Sequence, residues 1–219
     1  MSQIQRIRKQ ISIDESLELY RPESQIDRGF FMNKNTIILL GLVTLLIFPA
    51  VAFVVLWFFS SKNPIDLLEL NSLRLDFISL GILFGISYAF LSLWLFSRPY
   101  FENEMNQQKN LISQLNLTLV EKIFLSFCAG FGEEILFRAG MQSYLGVWIT
   151  TIIFIAIHGY LNPKKLRLAI YGLFLIPFIL VLGFSYFKFG LWSIIAAHFS
   201  YDLVLFLFIR KENTSLNFE

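Results

Sequence analysis

Phe131-Gly-Glu-Glu-Ile-Leu-Phe-Arg138 sets two adjacent carboxylates and a guanidinium inside an otherwise apolar run. Such groups cost roughly 2.5–3.5 kcal/mol each at the centre of a membrane helix on insertion scales, so they pair with one another or carry function. On a helix, Glu134 and Arg138 are four residues apart and share a face, as an ion pair does. Glu133 falls about 100° away and has no partner in its own helix. Two readings fit this stretch. One is a general base beside a neutralised neighbour; the other is an ion cluster that packs helices in a transporter or scaffold.

The rest of the chain says that the stretch lies in a membrane. Of 219 residues, 56% are hydrophobic, 25 are Phe and 16% are charged, against roughly 25% charged in soluble domains. Mean hydropathy is +0.62. The fold class expected is all-α, a polytopic helix bundle of about six spans. A single cysteine, Cys128, excludes an intrachain disulfide and any multi-cysteine metal site. Nothing in the chain calls for a nucleic-acid partner.

Residues 1–35 read as a solvated, mixed-charge tail, with no apolar run early enough for a secretory signal. The first span is expected over 36–59, with Pro49 inside it, and is long enough for ~30 Å of hydrocarbon. Asn63-Pro64 marks a turn. The second span runs over 75–96, with Gly81 and Gly85 at the small-xxx-small spacing of helix packing. Residues 97–118 are polar and lie along the interface, so 36–118 forms a first section. The section over 119–210 begins with the opening stretch and turns at Gly146 into a fourth helix ending near His158. A basic loop at 162–165, a fifth span over 168–187 and a sixth opened by Phe189-Gly190 follow. Residues 211–219 are a short tail.

Six spans put both termini on one side. Thirteen of the 18 Lys and Arg fall on that side, against Lys62, Arg74 and Lys188 on the other. The positive-inside rule therefore places both termini in the cytoplasm.

Both histidines lie in apolar segments. His158 shares a helical face with Phe154, and His198 shares one with Asp202, each pair four residues apart. A lone buried histidine is usually a hydrogen-bonded core residue, but here both histidines of the chain sit level with other ionisable groups. Glu133 lies 12 residues before the turn and His158 12 after Gly146, so each is ~18 Å from the turn. His198 lies ~12 Å into the sixth helix from the same side. Glu133, His158, His198 and Asp202 thus form one reasonable constellation.

The motifs E-E-x-x-x-R, F-x-x-x-H and H-x-x-x-D, in that order on successive helices, resemble the CPBP family of intramembrane proteases. That family includes the CAAX prenyl endopeptidases and bacteriocin-processing and self-immunity proteins. The run Gly183-Phe-Ser-Tyr…Phe189-Gly-Leu-Trp…His198 resembles the segment before the family's last motif, and the similarity covers about 119–208. The resemblance implies that Glu133 activates water, assisted by His158, and that His198 with Asp202 holds the oxyanion. It makes Glu134, Arg138 and Phe154 supporting residues. Asp202 departs from the asparagine of the prenyl endopeptidases. An ionised Asp cannot donate a hydrogen bond, so it is either protonated or orients His198.

The expected function is endopeptidase cleavage of a membrane-associated peptide or lipidated protein, with membrane lipid as the other partner. There is no H-E-x-x-H helix and no G-x-S-x-G elbow. No cofactor is favoured; the alternative is a metalloendopeptidase zinc site made of Glu133, His158 and His198. Other readings are a non-catalytic immunity or membrane-binding protein and a small proton-coupled transporter. The location expected is the bacterial plasma membrane. The sequence leaves oligomeric state open.

Overall fold

The computed structural model describes residues 33–60, 66, 68–70, 73–161 and 166–209. The tail over 1–32, the Asn63-Pro64 turn, the basic loop at 162–165 and residues 210–219 lie outside the described residues. Among the described residues there is no strand. The elements in order are α1 (Lys34–Phe59), α2 (Leu75–Phe96), α3 (Glu102–Leu115), α4 (Leu119–Glu134), a π-helical turn (Ile135–Met141), α5 (Gln142–Ile157) and α6 (Leu166–Phe208).

Among the described residues, four segments are long and apolar enough to cross a membrane: Lys34–Phe59, Leu75–Phe96, Leu119–Ile157 and Ala169–Phe208. The last two have 39 and 40 residues, about twice what ~30 Å of hydrocarbon needs. Each is broken by one glycine. Gly146 has φ 74, ψ 169 and Gly190 has φ 76, ψ 171, a region essentially closed to residues with a Cβ. Both breaks fall where the sequence places turns.

The arm after the first break is shorter than a span. Over 147–157 it has about 11 residues and rises ~16 Å, half the hydrocarbon depth. It stops at His158 because Gly159, at φ 76, leaves the helical region. The chain regains the level of α3 at Arg167, which pairs with Glu104 at 3.5 Å. The fourth helix of the expected six is therefore a short arm that ends at Ile157, next to the His158 where the sequence places its end.

Small residues set the packing. Gly81, Gly85, Ala89 and Ser92 are the buried residues of α2. A Cβ on Gly81 would collide with the Ser193 carbonyl, and one on Gly85 with the Ala197 carbonyl. Gly130 of α4 also lies against the Phe199 backbone, though less tightly. The 191–208 arm is thus held between α2 and α4, backbone against backbone, the contact that small residues permit in membranes. At one end of the bundle Lys34 pairs with Glu121 at 2.7 Å. There Thr118 and Glu121 also form a capping box that starts α4.

One stability prediction arises here. A Cβ at Gly146 would meet nothing within 4 Å, so Gly146→Ala tests conformation rather than space. The substitution should cost about 1–3 kcal/mol through the backbone alone. Thermal unfolding in detergent measures it, and an unchanged midpoint would mean that the turn tolerates an L-residue.

Candidate active site

The site is assembled where α4 ends. Its backbone passes from an α-helical to a π-helical turn directly after Glu134, and the Gln142 N–H bonds to the Phe137 carbonyl five residues back. Wider turns of this kind are frequent at functional sites. Glu134 and Arg138, both fully buried, form the ion pair read from their spacing: Arg138 Nε donates to Glu134 Oε2 at 2.8 Å. Arg138 Nη1 also donates to Gln142 Oε1 at 3.3 Å, and Gln142 Nε2 donates to the Gly183 carbonyl at 2.9 Å. A ladder of polar contacts therefore runs from α4 across to the first arm of α6.

The other oxygen of Glu134 holds a histidine. His198 Nδ1 lies 2.7 Å from Glu134 Oε1, and His158 Nδ1 lies 2.7 Å from the Phe154 carbonyl. Both oxygens only accept when the carboxylate is ionised, so each Nδ1 carries the hydrogen and donates it. That fixes both rings with Nε2 turned inward. His158 Nε2 is 3.5 Å and His198 Nε2 4.0 Å from the same atom, Glu133 Oε2. This oxygen is buried and has no hydrogen-bond partner among the described residues. Phe154 stacks on His158, with ring centroids 4.3 Å apart and planes at 22°, and stands 6.1 Å from the His198 ring.

All of the residues singled out in the sequence come together. Asp202 Oδ2 is 3.6 Å from His198 Nε2, facing the inward nitrogen rather than the one that sets the ring's orientation. Orientation falls to Glu134, which the sequence reading assigned to bracing alone. Gln142 was missed. Its signal was the same four-residue step carried once further, Glu134 to Arg138 to Gln142.

A cavity of about 240 Å³ adjoins the cluster. Asp202 and Tyr160 line it on the side of the histidines, and Glu104, Gln108 and Arg167 line it on the side of α3. It links the buried groups to the polar end of the bundle.

A zinc site places its donors about 2.0–2.1 Å from the metal in a tetrahedral set. Among the described residues, no group of three His, Cys, Asp or Glu side chains is disposed to hold a metal ion. Glu133, His158 and His198 converge, but not as a preformed metal cage.

Helices long enough to span a bilayer, with a carboxylate and two imidazoles brought together between them, define the class: a helical membrane protein with a carboxylate–histidine cluster among its helices. Residues 115–204 match the family model described as type II CAAX prenyl endopeptidase Rce1-like. This part of the chain, which holds all three motifs, is similar to that family. The chain is also 27% identical over 172 residues to the uncharacterized protein YpbD of Bacillus subtilis (strain 168), covering 77% of this chain and 87% of that one. No solved structure matches it.

Proposed function

We propose that the protein is an intramembrane endopeptidase in which Glu133 activates water without a metal. One observation carries this reading: a buried carboxylate oxygen with no hydrogen-bond partner, faced by two imidazole nitrogens whose rings are each locked by a second bond. A water molecule there would have an acceptor for its proton in Glu133 Oε2. As its oxygen bonds to the substrate carbonyl carbon, that proton passes to Glu133. The new oxyanion accepts a hydrogen bond from His198 Nε2 in its protonated form, a preorganised donor of the kind worth roughly 10²–10³ in rate. The C–N bond then breaks, and the proton held by Glu133, relayed by the adjacent His158, goes to the leaving amine.

The supporting residues fit the same scheme. Glu134 and Arg138 fix His198 from below, and Phe154 fixes His158. The cavity leading to Glu104 and Arg167 gives the polar part of a substrate a way from the interface to the site. The substrate class is a peptide or lipidated protein held at the membrane, and the setting is a bacterial plasma membrane with lipid around the bundle. A transporter relay would need ionisable groups in file across the bilayer; here they gather at one level.

Two results test the metal-free scheme. Hydrolysis should survive exhaustive treatment with phenanthroline. Asp202→Asn should keep activity within a few-fold, because Glu134 still orients His198 and the amide can itself donate to the oxyanion. Loss of activity to the chelator with recovery on added zinc would overturn the scheme.

A further inference from the structure

The end of the bundle away from the cavity holds a carboxylate that the chemistry above does not use. Glu69 lies in the connection between α1 and α2. Its Oε2 accepts the Leu191 N–H at 3.0 Å, and its Oε1 accepts the Tyr186 hydroxyl at 2.8 Å. Tyr186 stands one turn before the Gly190 break and Leu191 directly after it. One side chain therefore ties both arms of α6 across their hinge. Its neighbour takes part: Trp192 Nε1 donates to the Leu68 carbonyl at 2.9 Å. Ser193 Oγ donates to the Phe77 carbonyl of α2 at 2.8 Å.

Gly190 makes such a clip necessary. A break at φ 76, ψ 171 leaves the first N–H groups of the 191–208 arm without partners from a preceding turn. It also removes the helical hydrogen bonds that would fix the angle between the arms. A carboxylate at the start of that arm answers both needs, satisfying one N–H and complementing the positive end of the helix dipole. Glu69 itself has φ 45, a left-handed conformation that a residue with a Cβ keeps only where its surroundings hold it.

We propose that Glu69 is a positioning residue for the active site, acting through the 191–208 arm. This arm carries His198 and Asp202, and its far end, Leu205 and Phe206, lines the cavity. His198 is seven residues beyond Leu191, so a tilt of ~10° at the hinge moves its ring by roughly 2 Å. A misplacement of ~1 Å is enough to cost about 10²-fold in rate. The connection on one end of the bundle thereby sets the geometry of a site reached from the other. Its effect on hydrolysis rests on the endopeptidase reading; the clip itself does not.

Two arms of one experiment separate the two ideas, using the full chain in lipid nanodiscs. In the first, amide hydrogen exchange is followed in wild type, Glu69→Ala and Glu69→Gln. Exchange over 191–204 should rise at least about tenfold in Glu69→Ala, with 36–58 and 120–133 unchanged. Glu69→Gln keeps one acceptor oxygen and should restore part of the protection. Unchanged exchange at 191–204, or a uniform rise in every helix, would overturn the clip whether or not the protein is a hydrolase. In the second, a peptide spanning a bond cut by wild type but not by Glu133→Gln is the probe. Glu69→Ala should lower kcat about 10–100-fold at constant KM, with partial rescue in Glu69→Gln. An unchanged kcat, or a loss confined to KM, would remove Glu69 from positioning.

Discussion

Glu133→Gln should reach the membrane folded and lose hydrolysis by about 10²–10⁴-fold, the range for removing a general base. The amide has nearly the shape of the carboxylate but no basic oxygen to take the proton from water. Stability should not fall, because Glu133 Oε2 makes no hydrogen bond that the change would break among the described residues. Removing the charge also lessens what the bundle has to bury. The checks are cleavage in reconstituted vesicles and thermal unfolding of the same preparation. A mutant that cleaves at the wild-type rate takes Glu133 out of the mechanism. One that fails to fold assigns it to packing.

Arg138→Ala and Glu134→Ala should behave in the opposite way, losing stability first. Both side chains are fully buried and bonded at 2.8 Å, so each single change leaves the other charge without its main partner, a loss of about 3–5 kcal/mol. Glu134→Ala also frees His198 Nδ1, bonded at 2.7 Å, so its activity should fall more than its stability alone explains. The double mutant should be less damaged than the two losses summed, as expected for residues in direct contact. Denaturation midpoints of the four proteins close this cycle. Strict additivity would mean that the pair contributes no coupling in the membrane.

Much of this arrangement was legible because the helical rise is fixed. Counting residues from Gly146 put Glu133 and His158 at one depth, and their side chains meet at 3.5 Å. Counting also joins Glu134 to Arg138, since a four-residue step survives the passage into the π-helical turn. The phase between helices is another matter. His198 Nδ1 meets Glu134 rather than Asp202 because Gly81, Gly85 and Gly130 seat the 191–208 arm at one rotation. No single-helix pattern encodes that rotation.

The end of the fourth helix was legible: the sequence reading stops it near His158, and it stops at Ile157, in a turn set by the positive φ of Gly159. Glu69 was hidden. An acidic residue in a short connection reads as a solvated loop until the fold brings it to the Leu191 N–H.

The central claim is that this bundle hydrolyses a peptide bond with water activated at Glu133. Its most direct test is cleavage by the purified, chelator-treated protein in H₂¹⁸O, with the products read by mass spectrometry. The scheme predicts one ¹⁸O in the newly formed carboxylate of the amino-terminal fragment, in wild type and not in Glu133→Gln. Absence of any ¹⁸O-labelled product from wild type, or equal labelling by the Glu133→Gln protein, would contradict it.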